Sequence, residues 1–302
     1  MDNASKVAAI ITTHRRAPEI LGRAIESVLR QTVPAAEVVV VDDAPSWERH
    51  GDILALMQRY AGRVRYIENT DRPGACGSRN IGIESTVSPI IGLLDDDDEW
   101  IEDKIEVLLP AFAGGAGIVY GTITKVREGS SFEFHPNNNK EYFSGMIYDE
   151  LIQHGNFVGG CSVPLFTRDA VVRAGMFDEQ MLSGQDIDLW LRIAKNDEAV
   201  FVDKPAIKYY FTDDAISATS KSRISGKKRL LEKYGKDYKR YPDVMKRRVG
   251  GLLLQLILAG QINEAWTLRK EYAEYISKAY FVKQLLKGMV KRVLFKLRIQ
   301  NR

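Results

Sequence analysis

The chain has only two cysteines in 302 residues, Cys76 and Cys161, far apart and in dissimilar surroundings. That excludes a disulfide-built scaffold and points to free thiols in a reducing compartment. The four histidines, His14, His50, His135 and His154, lack metal-ligand spacing, so neither a zinc site nor a histidine-based triad has support. No apolar run approaches the roughly 20 residues needed to cross a bilayer. LLLQLILAG (Leu252–Gly260) stops well short. The opening MDNASKVAAIITT has no basic patch followed by a long apolar run, which predicts no signal peptide.

What is present is a chain that is 45% hydrophobic, enough for one large core and a smaller appendage. The net charge of +3 conceals a division. Residues 1–220 carry 21 Lys and Arg against 34 Asp and Glu, whereas residues 221–302 carry 22 against 6. An acidic body joined to a basic tail predicts two jobs, and we expect one domain over 1–215 and a mainly helical extension over 216–302.

The body alternates strand and helix. VAAIITT and EVVVVD are short, β-branched and apolar throughout, and each precedes a helical pattern such as Ile20, Leu21, Ala24, Ile25, Val28, Leu29. SRNIGIEST is expected to open a third helix, and IIGLL to form the fourth strand. Wholly apolar strands between helices predict an α/β fold, a mainly parallel sheet covered on both faces. Ligands of such sheets sit beyond the carboxyl ends of the strands, where Thr12–Thr13, Asp42–Asp43 and the Asp95–Asp98 run all fall. Four adjacent carboxylates repel one another, so they form either a solvated turn or a seat for a cation. A D-x-D pair holds Mg²⁺ or Mn²⁺ through oxygen and leaves positions for a diphosphate. The nearby DRPGACGSRN adds Arg72 and Arg79 on a flexible loop.

Three stretches carry a resemblance, in order along the chain: VAAIITTHRRAPEILGRAIESVLRQTVPAAEVVVVDDAP, RPGACGSRNIGIESTVSPIIGLLDDDDEW and MFDEQMLSGQDIDLWLRIA. Together they resemble the signatures of family 2 glycosyltransferases with the GT-A fold, a Rossmann-like sheet, over roughly residues 5–215. The resemblance implies that Asp43, with Asp42 beside it, reads the nucleotide base. It further implies that Thr12, Thr13, Arg72, Arg79, Asp95 and Asp96 contact the nucleotide, and that Asp97 with Asp95 holds Mn²⁺ or Mg²⁺. The run of four leaves the register open, because Asp96 and Asp98 have the same spacing. The family's acidic pair maps onto Gln185–Asp186, so the role of catalytic base falls to Asp186 alone, where capping of the following helix is the plainer alternative. The activity so implied is an inverting, metal-dependent transfer of a sugar from a nucleotide-sugar donor, expected to be a UDP-sugar, to a glycan or lipid-linked saccharide. Trp100 and Trp190 fit core packing better than sugar stacking. His14–Arg15 stands where many relatives have Tyr-Asn. REGSSFEFHPNNNKEYFSG is expected to be a loop or hairpin near the site mouth.

From Lys278 onward the tail holds eight basic residues and no acid. At about 100° per residue, Val282, Leu285, Leu286, Met289, Val293 and Leu297 share one side of a helix. Lys283, Lys287, Lys291 and Arg298 take the opposite flank. Such a helix suits an anionic membrane surface, although the same stripe could pack on protein. The expected setting is cytoplasmic, peripheral on the inner face of the plasma membrane, in cell-surface polysaccharide synthesis. No nucleic-acid partner is expected, and homo-oligomerisation stays open. Two other classes compete: a non-catalytic nucleotide- or membrane-binding scaffold, and an Asp-dependent phosphotransferase. The latter is disfavoured because its Asp-x-Asp-x-Thr/Val pattern belongs near the first strand, and here Glu99 holds the Thr/Val position.

Overall fold

A computed structural model describes residues 6–127, 130–134, 141–210 and 220–300. In chain order the first elements are β1 (Val7–Thr13), α1 (Pro18–Leu29), β2 (Glu37–Asp42), α2 (His50–Gln58), β3 (Arg65–Glu68), α3 (Ala75–Ser85) and β4 (Ile90–Asp95). Next come β5 (Glu99–Trp100), α4 (Lys104–Leu108), a 3₁₀ turn over Leu109–Gly114, β6 (Ile118–Arg127), β7 (Ser130–Phe134), α5 (Tyr148–His154), β8 (Leu165–Thr167), α6 (Arg168–Arg173), α7 (Gln185–Ile193) and β9 (Ala199–Tyr210). The chain closes with α8 (Ser220–Lys239), α9 (Pro242–Leu258), α10 (Ile262–Glu271) and α11 (Lys278–Gln300).

The sheet runs β3-β2-β1-β4-β8-β6-β9-β5, with β7 on β6. β3, β2, β1 and β4 are parallel, as the continuous apolar runs of β1, β2 and β4 predict, and Val7 to Ile11 and Val38 to Val41 are buried. Beyond β4 the sheet turns: β8 pairs antiparallel with both β4 and β6, while β6 and β9 run parallel. α1 starts at Pro18, whose missing N–H needs no partner in a first turn, and buries Leu21, Ala24, Ile25 and Val28. α3 begins at Ala75, three residues ahead of Ser78. Its close fit needs glycine: a Cβ on Gly82 would lie 2.3 Å from Ile10 Cγ2. The polar stretch after β6 does form a hairpin with β7, and residues 128–129 and 135–140 of it lie outside those described.

Two compact units emerge, Met1–Glu179 with Asp186–Ala215, and Gln180–Gln185 with Ile216–Arg302. The six residues before Asp186 therefore go with the C-terminal helices, a departure from a single cut at residue 215. Within that second unit Gly226 of α8 comes so near Ser183 that a Cβ would meet its carbonyl oxygen at 2.2 Å. Leu252, Leu253, Leu256 and Ile257, the heart of LLLQLILAG, are the buried face of α9. Among the described residues no helix is long and apolar enough to cross a membrane.

Candidate active site

Parallel pairing aligns the strand ends. Thr13 is in register with Asp42, Asp42 with Glu68, and Thr12 with Asp95. The candidate groups on β1, β2 and β4 thus share one edge, and the chain's next few residues decide which of them face outward.

The acidic run is a tight turn between β4 and β5, closed by Asp98 N–H donating to the Asp95 carbonyl at 3.1 Å. The turn sorts the four carboxylates by alternation. Asp95 and Asp97 keep side chains 38% and 50% exposed, while Asp96 and Asp98 are 5% and 4% exposed as residues. Asp96 accepts from Thr13 Oγ1 at 2.7 Å, His14 N at 3.3 Å and Arg16 Nε at 2.8 Å. Burial pushes its carboxyl up to about 6, against the pull of Arg16 and Thr13. Asp98 is pushed well above the usual carboxylate range, by burial first and then by Asp95, while Ser162 holds it by a hydrogen bond. Beneath it Lys104, fully buried, donates from Nζ to the Ser162 carbonyl at 2.7 Å and lies 4.2 Å from the centre of the Trp100 ring. Burial holds that amine well below its usual range.

Asp95 and Asp97 are thus the outward pair of the four. Each already has a cationic neighbour. Arg79 donates to Asp95 Oδ1 at 2.6 Å and Arg16 to Asp97 Oδ2 at 3.0 Å, while Arg23 donates to the Asp97 carbonyl at 2.9 Å. No group of three or more His, Cys, Asp or Glu poised for a metal exists among the described residues. Two outward carboxylates are the kind of donor Mg²⁺ or Mn²⁺ take, binding through one or two carboxylates and completing their shells with water and substrate phosphates. The donor set fits such an ion.

Other expected contacts divide. Asp43 is half-buried at the end of β2 and accepts from Gly74 N at 2.8 Å, Asn69 Nδ2 at 2.9 Å and Ser78 Oγ at 3.2 Å, with His14 Nδ1 at 3.4 Å. It shapes the loop that leads into α3, where Gly74 has φ 102°, a conformation glycine tolerates. Asp42, by contrast, is buried, and its oxygens are taken by the Ala44 N–H at 2.8 Å and Tyr66 Oη at 2.7 Å. Asp42, Asp96 and Thr13 therefore build the rim from behind rather than presenting free groups to a nucleotide. Arg72 is also redirected: its guanidinium pairs with Glu84 and Glu179, and only its backbone joins the Asn69 loop. Arg79 is buried against the Phe177 ring and does reach the rim through Asp95.

Asp186 lies in the first turn of α7. Its Oδ1 accepts from Ile187 N at 2.8 Å, which is part of a capping role, and its Oδ2 from Asn156 Nδ2 at 2.8 Å. Burial raises its carboxyl above the usual range, opposed by the Ile187 N–H and Arg79 and reinforced by the charge of Asp95. Asp186, Arg79 and Asp95 thus sit within one electrostatic neighbourhood. Asn156 opens a loop that also ends at the rim, for Ser162 Oγ accepts from Asp95 N at 3.0 Å. Asn156, Ser162, Lys104 and Arg16 were not singled out from the sequence. Trp190 and Trp100 are core, their indole N–H groups bonded to the Gly159 carbonyl at 3.1 Å and the Leu93 carbonyl at 3.2 Å.

A twisted, mostly parallel sheet with an acidic rim and extra C-terminal helices defines a GT-A fold. A crystal structure of Staphylococcus aureus TarS is similar in fold, with TM-score 0.59 and 13% identity over 93% of this chain and 53% of that one. Residues 8–171 match the model of Glycosyl transferase family 2, and the chain belongs to that family. An uncharacterized glycosyltransferase of Rickettsia felis is 27% identical over 207 residues, 68% of this chain and 33% of the relative, so the chain spans about a third of that protein's length. UDP-Glc:alpha-D-GlcNAc-diphosphoundecaprenol beta-1,3-glucosyltransferase WfgD of Escherichia coli is 24% identical over 217 residues, 70% of this chain and 80% of WfgD.

Proposed function

We propose that the chain is an inverting glycosyltransferase that moves a sugar from a nucleotide-sugar donor, in the first instance a UDP-sugar, to a hydroxyl of a lipid-linked saccharide or glycan, in the building of cell-surface polysaccharide. The observation that carries it is the outward pair Asp95 and Asp97 at the strand ends, with Asp186 bonded to Asn156 at the start of the loop whose Ser162 holds Asp95. WfgD's name, which pairs a UDP-sugar with a diphosphoundecaprenol-linked sugar, supports the donor and acceptor classes.

In this reading Asp186 takes the proton from the acceptor hydroxyl as that oxygen attacks the anomeric carbon and the nucleoside diphosphate leaves from the opposite face. A sugar hydroxyl is a poor nucleophile until its proton is removed, and a partly desolvated carboxylate is a stronger base than an exposed one. Asn156 holds Asp186 in place, and Arg79 and Arg16 keep the acidic rim from flying apart by charge repulsion. A bound Mn²⁺ or Mg²⁺, held by Asp95 and Asp97, would supply positive charge for the departing diphosphate. In this reading Asp43 and the loop it holds read the base. The test is release of nucleoside diphosphate from a panel of sugar nucleotides, with lipid-diphosphate-linked sugars as acceptors, with and without chelator. Asp186→Asn is expected to keep nucleotide binding and lose transfer by about 10²–10⁴-fold. Near-normal turnover in that variant rules out the base assignment.

A further inference from the structure

Helix α11 has two apolar faces. One packs on α9: Phe281 is buried, Leu285 half-buried, and a Cβ on Gly288 would meet Ile257 Cγ2 at 2.4 Å. Gly250 of α9 likewise makes room for the Tyr280 hydroxyl. The other face is bare, with Val282, Leu286, Met289 and Val290 exposed by 51%, 60%, 56% and 59%. At about 100° per residue these four fall within one arc of about 100°, centred about 120° round the helix from the packed face. Four large apolar side chains gathered in nine residues mark a contact surface.

Charge selects the occupant. Lys283 and Lys287 border the arc, and from Lys278 the chain carries eight basic residues and no acid. A second copy would bring the same positive charge to the same face and be repelled. A surface that is anionic outside and apolar just beneath complements both features. Trp266 of α10 stands edge-on to Phe281, 5.3 Å between ring centres, 38% exposed and flanked by Arg269 and Lys270, a composition that suits the headgroup level.

We propose that α11, seated on α9, docks on an anionic lipid bilayer, with Val282, Leu286, Met289 and Val290 entering the boundary between headgroups and acyl chains and Lys283 and Lys287 meeting lipid phosphates. The docking element is then a fixed face of the helical unit rather than a loose tail. On this proposal packing and membrane contact use two different faces of one helix.

The experiment is co-sedimentation of the full chain with phosphatidylcholine vesicles, with and without phosphatidylglycerol, at low and high salt. Binding is expected only with the anionic lipid and is expected to weaken with salt. The pair Leu286→Glu and Met289→Glu should weaken it about tenfold or more, and the pair Lys283→Gln and Lys287→Gln by a similar factor. All four residues are exposed, so both variants should melt like the parent, and the lysine pair keeps the test open should the glutamate pair misfold. The proposal is overturned by absence of vesicle binding, or by binding that survives the glutamate pair in a folded protein. A stable dimer that the glutamate pair dissolves also overturns it.

Discussion

Asn156 and Asp186 are joined by a 2.8 Å hydrogen bond from the Asn156 amide to the Asp186 carboxylate, across 30 positions of sequence. The same amide donates to the Gly159 carbonyl at 2.9 Å, so its orientation is fixed by its own loop. A donor to an ionised carboxylate favours the charged form. Burial already raises Asp186, and the proposed base role needs it ionised, so on that proposal the acid limb of kcat/KM should lie above the ordinary carboxylate range. Asn156→Ala should push that limb higher still and lower kcat about 10- to 100-fold, with nucleotide binding unchanged. A pH–rate profile with an unmoved acid limb would leave Asn156 a purely structural residue.

The alternation of the acidic turn predicts different losses at neighbouring positions. Asp97→Asn should cut Mn²⁺-dependent nucleotide binding by about tenfold or more, since an outward carboxylate is removed. Asp98→Asn should leave that binding nearly intact, because Asp98 faces Ser162 and the buried Lys104. Calorimetric titration of nucleotide at several metal concentrations distinguishes them, and the reverse order would shift the register by one.

Asp96 supplies a pH-dependent stability. Its folded carboxyl, raised to about 6 chiefly by burial, binds a proton more tightly than in the unfolded chain. The resulting contribution is complete below the unfolded value near 4 and fades as pH rises through about 6. Asp96→Asn lacks this titration. The difference in unfolding free energy between variant and parent should therefore move in the variant's favour by about 2–3 kcal/mol from pH 4 to 7. Denaturant melts in chelator across that range give the slope, and a flat difference refutes the assignment.

Gly77 has no room for a side chain, since a Cβ would lie 1.9 Å from the Arg72 carbonyl oxygen. Arg72 is the turn that Asn69 grips through both backbone groups, and Asn69 in turn bonds to Asp43. Gly77→Ala should destabilise by about 1–3 kcal/mol and weaken nucleotide binding with it. Thermal melting and nucleotide titration should change together; loss of stability alone would detach Asp43 from the nucleotide.

Much of the parallel half was legible. β1, β2 and β4 announce themselves as unbroken β-branched runs because both of their faces are covered, and pairing rules then carry their last residues to one edge. The antiparallel turn of the sheet at β8 and the two-residue β5 were not legible. Three- and two-residue strands owe their existence to their neighbours rather than to any periodicity.

By itself, the sequence determined which residues end the strands and that acids gather there, because hydrophobic runs and their stops are local properties. Tertiary structure alone decided which of those acids face outward. Asp42, Asp96 and Asp98 are indistinguishable from their neighbours as letters, yet each is enclosed by groups distant along the chain, Tyr66, Arg16 and Ser162 among them. Access to solvent and the partners of a carboxylate are set by what packs over it, and that depends on the whole fold.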